Sequence, residues 1–158
     1  MPPTFPRKRL LRAHGKSVVF ARGSIESAEH VLMKAFIWAL YLPDYPDLYV
    51  ETRIGDKYKP DVVQMGADGK PIFWGESGQV SVKKIESLVR RFPATHFVIA
   101  KWGMKLDPVA EIVAEALDGR ERRAPFDLIR FAPDSADRFI DADGNVTLTH
   151  ADLEWRRF

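Results

Sequence analysis

Residues 59–79 read KPDVVQMGADGKPIFWGESGQ. Two runs of β-branched and aromatic residues, one beginning at Val62 and one at Ile72, flank Ala67-Asp68-Gly69-Lys70. A DG dipeptide between apolar runs is among the strongest short-range hairpin signals. The spacing predicts an antiparallel pair of strands, with Asp61 opening the first and Glu76 closing the second. Antiparallel pairing then brings two carboxylates toward each other. Oxygen ligands of this kind suit Mg2+ or Mn2+, which polarise a phosphate and lower the pKa of a bound water. The bland alternative is a solvated hairpin end, since strand ends are wet.

Upstream, residues 17–22 (SVVFAR) are rich in β-formers and read as a strand, broken by Gly23. Ser24 is a good N-cap, Glu26 suits the positive end of a helix dipole, and Ala28, Val31, Leu32, Ala35, Phe36 and Ala39 recur at helical spacing. A helix over 25–42 follows, ended by Pro43 and Pro46. Residues 48–53 (LYVETR) alternate and read as a strand. Beyond the hairpin, Ile85, Leu88, Val89 and Phe92 form the apolar stripe of an amphipathic helix stopped by Pro93. The run THFVIAKW is short, continuous and apolar, as in a buried parallel strand. Asp107-Pro108 opens a further helix that Asp118-Gly119 closes. FDLIRF over 126–131 is a last strand, and RFIDADGNVTLTH reads as a terminal hairpin. The order of elements implies an α/β fold, a mixed sheet flanked by helices.

With 158 residues, 46% of them hydrophobic, the chain has ample material for one core. It has no cysteine, which excludes disulfides, thiolate metal sites and cysteine nucleophiles, and the expected compartment is the cytoplasm. No segment carries the roughly 20 apolar residues of a membrane span, and the N-terminus lacks the apolar stretch of a secretory signal. The formal charge of +2 conceals an asymmetry. All six charged residues among the first 22 are basic, leaving 18 basic against 22 acidic in the rest. Residues 1–16 therefore read as a flexible basic arm on a single domain over 17–158. Its Arg7, Lys8 and Arg9 are candidates for touching nucleic-acid phosphates; a merely solvated terminus is the alternative.

Pro60-Asp61, the hairpin, Glu76 two positions before Gly78, a helix and then a buried strand resemble the PD-(D/E)XK nuclease superfamily. More narrowly, PDVVQMGADGKPIFWGESGQ, the upstream IESAEHVLMKAFIWAL, HFVIAKWG and DGNVTL resemble the YaeQ family, small bacterial proteins with that restriction-endonuclease-like fold. The resemblance runs from about Ser17 onward. It implies a restriction-endonuclease-like core with a C-terminal β-hairpin, Asp61 and Glu76 as ligands of Mg2+ or Mn2+, the Ser77 carbonyl as a further ligand, and Glu29 as the acidic residue of the first helix. It implies hydrolysis of nucleic-acid phosphodiesters.

The departure from the pattern is at the lysine. Residues i and i+2 share a face of a strand, so the superfamily's lysine follows its acid by two and points at the same phosphate. Here that position is Gly78. Either a cation arrives from elsewhere or hydrolysis has been lost, leaving a module that binds nucleic acid or a protein partner. Gln79 is a candidate hydrogen-bond donor if the chain bends after Gly78, and Lys83 or Lys84 a candidate migrated lysine; the alternative for both lysines is a solvated helix face.

His14, His30, His96 and His150 lack the spacing of a zinc site, and His30 reads as a surface residue. Ser77 and Ser81 have no nucleophile-elbow or phosphate-loop context. Trp38, Trp74, Trp102 and Trp155 read as packing. DADGN over 141–145 imitates the start of a calcium loop but has Val146 where that loop needs glycine.

Overall fold

The structure is a computed structural model and describes residues 2–158. The chain begins with an antiparallel hairpin, β1 (Lys8–Ala13) and β2 (Lys16–Ala21), followed by helix α1 (Ala28–Tyr41) and the short strand β3 (Tyr49–Val50). The DG hairpin supplies β4 (Val62–Met65) and β5 (Pro71–Ser77), closed by the Gly66 N–H donating to the Lys70 carbonyl at 2.7 Å. Then come α2 (Val82–Arg91), β6 (His96–Trp102), α3 (Asp107–Leu117), β7 (Phe126–Phe131), α4 (Ser135–Phe139) and β8 (Glu154–Arg157). Six strands form one mixed sheet in the order β3-β4-β5-β6-β7-β8. The β5-β6 and β6-β7 pairs are parallel, joined through α2 and α3; the other pairs are antiparallel.

The sheet is covered on both faces, as continuous apolar strands require. Phe73, Val98, Ala100 and Ile129 pack toward α1 and the β1-β2 hairpin, whereas Trp74, Phe97, Ile99 and Leu128 pack toward α2 and α3. Every residue of α1 from Val31 to Tyr41 is buried, so this helix runs through the interior instead of lying on it. Gly75 sets how closely it can approach the sheet. A Cβ there would lie 2.9 Å from Ile37 Cγ2, so a bare backbone on β5 lets α1 seat against it.

Four expectations are corrected. The first helix starts at Ala28, not Ile25, because Ser27 is the N-cap, its side chain accepting from the His30 N–H at 3.2 Å. Residues 8–16 are not a flexible arm. Leu11 and Ala13 bury under α1, while Arg9 and Arg12 donate to the carbonyls of Asp141 and Asp143. The strand expected over 48–53 ends after Val50, because Glu51 turns to a positive φ of 55°. The terminal hairpin reduces to a single Ile140–Val146 bridge after α4; the chain instead ends in β8, which pairs with β7. Among the described residues no helix is long and apolar enough to cross a membrane.

Candidate functional site

Asp61 sits just before β4, at the end of β5. Its N–H donates to the Gly75 carbonyl at 3.1 Å, and its Oδ2 accepts from the Ser77 N–H at 2.8 Å and the Ser77 hydroxyl at 3.0 Å. The predicted ligand residue Ser77 thus orients the carboxylate. Across the opening, α1 presents His30, whose Nε2 lies 3.6 Å from Asp61 Oδ2. Burial alone would raise the Asp61 pKa, but His30 and Ser77 hold it below the usual carboxylate value.

Behind His30 runs a chain of charges that sequence reading missed. Glu26 accepts from His30 Nδ1 and from Lys34 Nζ, the latter at 2.6 Å, and Lys34 also binds Glu51. Lys34 is 2% exposed, so these carboxylates are what allows an ammonium within the helix core. Glu51 has a further ion pair with Lys59 at 2.7 Å, and its N–H donates to the Asp61 carbonyl at 3.0 Å. Its left-handed backbone thereby places one residue against both Lys34 and the Asp61 main chain. The facing Asp61 carboxylate, followed by the Glu26 hydrogen bond, raises the His30 pKa to about 9 despite burial, so the ring is an imidazolium at neutral pH. His30 is therefore part of the site and not a surface residue.

Glu76 is buried near the end of β5. Its Oε1 accepts from Trp74 Nε1 at 2.8 Å and pairs with Lys84 Nζ at 2.7 Å. Burial, then the nearby Asp61 charge, raises its pKa. Of the two candidate lysines, Lys84 thus reaches Glu76 from α2, while Lys83 stays exposed. Trp74 is fully buried and serves as packing and donor.

At Gly78 the chain bends with φ +84°, a conformation in which a lysine would be strained. An ammonium nevertheless arrives. Lys101, near the end of the adjacent strand β6, donates from Nζ to the Gly78 carbonyl at 2.6 Å and is pushed below the ordinary lysine pKa by burial. Sequence reading passed over it as part of an apolar strand. Its signal was a single lysine near the C-terminal end of that strand, whose significance depends on β6 lying parallel beside β5.

An open cleft of about 830 Å3 is lined by Glu26, His30, Glu51, Asp61, Gly78 and Gln79 among others, whereas Glu76, Lys84 and Lys101 are not among its lining residues. Gln79 is exposed beyond the bend, as its proposed role needs. Glu29 is not brought in. It is half-buried in the first turn of α1, lies outside the cleft, and has no hydrogen-bond or ion-pair partner among the described residues. Arg7, Lys8 and Arg9 lie at the β1-β2 hairpin. Its register sets Lys8 opposite Ala21, a cleft residue, and the Arg22 N–H bonds to the Arg7 carbonyl at 2.9 Å. Arg7 and Lys8 are thus close to the rim, whereas Arg9 is tied to the Asp141 turn.

Among the described residues no group of three or more His, Asp or Glu side chains is arranged to hold a metal ion. Asp61 and Glu76 come together as a pair only, close enough for the Asp61 charge to raise the Glu76 pKa. Asp61 Oδ1 and Glu76 Oε2 have no protein partner among the described residues, and neither is an unsatisfied atom sealed from solvent. Two carboxylates completed by water and substrate oxygens are how magnesium is commonly held.

No protein-family model matches the chain, and no curated protein matches it in sequence. In structure it is similar to the YaeQ protein from Pseudomonas syringae, with TM-score 0.55 and 17% identity over 74% of this chain and 62% of that one. It is also similar to the YaeQ protein from Xanthomonas axonopodis pv. citri, with TM-score 0.55 and 17% identity over 78% of this chain and 72% of that one. The chain spans less than two thirds of the Pseudomonas protein's length. Its α/β architecture, with a mixed six-stranded sheet between helices, is the fold it shares with the YaeQ proteins.

Proposed function

We propose that this chain is a metal-dependent phosphodiesterase acting on nucleic acid, a PD-(D/E)XK-type site in which the motif lysine has moved to the neighbouring strand. The observation that carries the reading is the Lys101 ammonium on the Gly78 carbonyl, at the place where the sequence pattern lacks its cation. Asp61 and Glu76 are the metal-holding carboxylates in this reading, with the Ser77 carbonyl as a further ligand. A bound magnesium or manganese ion supplies Lewis-acid polarisation of the phosphate and acidifies a water ligand.

The chain's own residues do the rest. Ser77 and His30 keep Asp61 ionised and oriented. Lys84 and Trp74 offset the cost of a carboxylate at the buried Glu76. Lys101 provides positive charge for the phosphoryl oxygens, and Gln79 a hydrogen bond beyond the bend. Arg7 and Lys8 extend the phosphate track along the rim. The test is cleavage of single- and double-stranded DNA and RNA with magnesium or manganese and with chelator. Metal-dependent cleavage lost in Lys101→Met supports the reading; cleavage unaffected by chelator or by that variant overturns it.

One observation favours a second reading, a nuclease fold retained for binding alone. Each carboxylate already carries a protein cation, His30 on Asp61 and Lys84 on Glu76. In that case binding to nucleic acid or a protein partner survives removal of both acids, and no cleavage accompanies it.

A further inference from the structure

A second pocket, of about 490 Å3, lies at the carboxyl ends of β5 and β6 and shares Met33, Gly78 and Gln79 with the cleft. Crevices beyond the carboxyl ends of parallel strands are where open α/β sheets bind ligands. The two spaces differ in chemistry. The cleft has three carboxylates, Glu26, Glu51 and Asp61. The pocket, among the described residues, has no carboxylate: its walls include Met33, Val80, Trp102, Met104 and Ile112, and its two charged groups are Lys101 and Lys105. Trp102 is fixed by stacking on Phe36, centroids 6.5 Å apart, and remains only half-buried. Met104, 56% exposed, lies at the exposed margin.

We propose that this pocket is a nucleobase subsite, which takes one unstacked base of the strand whose phosphate lies in the cleft and so makes single strands or frayed ends the substrate class. The inference rests on the phosphodiesterase reading above. The exposed Met104 thioether and the half-buried Trp102 indole, with Met33 buried behind them, offer polarisable surface to a flat aromatic ring, and methionine sulfur binds ring edges favourably. Lys105, exposed at the margin, suits a phosphate flanking that base, and the buried Lys101 on the Gly78 carbonyl adds positive charge without a competing acid. A base still paired within a duplex does not enter, because the pocket receives a ring that has left its stack. Continuity through Gly78 and Gln79 ties the base position to the phosphate position.

The test is anisotropy of labelled oligonucleotides with the full chain in chelator, which prevents turnover. It compares a single strand, the same-length strand with abasic residues, and a duplex, each at several salt concentrations. The subsite predicts that the abasic strand and the duplex bind about tenfold more weakly than the normal strand, the order expected for one lost base stack. Met104→Ala, at an exposed position that tolerates truncation, weakens the normal strand toward the abasic level and leaves the abasic strand unchanged. Equal salt-sensitive binding of normal and abasic strands overturns the subsite while leaving the phosphodiesterase reading standing. Loss of abasic binding in Met104→Ala to the same extent also overturns it. Absence of binding to all three overturns the subsite, whose contacts need no metal, and leaves the phosphodiesterase reading to the cleavage assay.

Discussion

Lys101 on β6 reaches across to the carbonyl of Gly78, the bend residue just past the end of the neighbouring β5, at 2.6 Å. The residue that lacks a side chain and the residue that brings the ammonium meet in space although 23 positions apart in sequence. If that ammonium acts on the phosphate, Lys101→Met, which keeps most of the buried stem, lowers kcat by roughly 10²–10³, the usual cost of one preorganised electrostatic donor. Gly78→Lys in that background does not restore activity and itself destabilises by about 1 kcal/mol or more, because φ is +84°. Single-turnover cleavage and thermal melting measure the two effects separately.

Glu26 and Glu29 behave differently on substitution. Glu29→Gln leaves stability within about 0.5 kcal/mol, as for a side chain without partners, and leaves cleavage unchanged. Glu26→Gln weakens the buried Lys34 pair and the hold on His30, and costs about 2 kcal/mol by denaturant unfolding. A large loss of activity in Glu29→Gln with normal stability would restore Glu29 to the site.

The rim charges are read through salt. Replacing Arg7 and Lys8 by glutamine removes up to two phosphate contacts, so the slope of log affinity against log salt falls by about one per charge removed. Arg9→Gln instead loosens the Asp141 turn and registers mainly in melting temperature. Equal slopes for the double variant and the unmodified chain would place the phosphate track elsewhere.

Asp127, at the opposite end of the sheet, accepts from Tyr41, His96 and Arg157 and is fully buried. Burial opposes its ionisation, but these partners hold its pKa at about 2 against an ordinary 3.8. A lowered carboxylate pKa contributes stability that is present above the unfolded value and is lost as pH falls through the folded one. Asp127 thus supplies about 2 kcal/mol at neutral pH that fades between roughly pH 4 and 2. Asp127→Asn removes this acid limb from urea-unfolding curves, destabilises the protein at pH 7, and leaves metal binding unaltered.

The α/β class, the DG hairpin, and the helices and strands that follow it were legible because apolar period, N-caps and prolines agree there. Edges were less so. Glu154-Trp155-Arg156-Arg157 carries too little apolar content to read as a strand, and it becomes one by pairing with β7. Residues 1–16 read as a loose basic tail because Arg7, Lys8, Arg9 and Arg12 dominate them, although Lys8–Ala13 pairs with the adjacent β2 and packs against α1 and the Asp141 turn. At the candidate site, the convergence of Asp61 and Glu76 followed from the hairpin spacing, and Lys84 was one of two candidate lysines. His30, Glu26, Lys34 and Glu51 were not, because their contacts arise from the insertion of α1 against Gly75 and from a left-handed residue at 51. Lys101 needed knowledge of which strand lies beside β5.

The most direct test of the metal-dependent reading is calorimetric titration of manganese into the unmodified chain, Asp61→Ala and Glu76→Gln at one pH. The account predicts saturable binding at one site that is lost in Asp61→Ala and weakened at least tenfold in Glu76→Gln, with folding retained in both. Absence of binding in the unmodified chain, or binding equally strong in Asp61→Ala, would contradict it and leave the carboxylates as structural partners of His30 and Lys84.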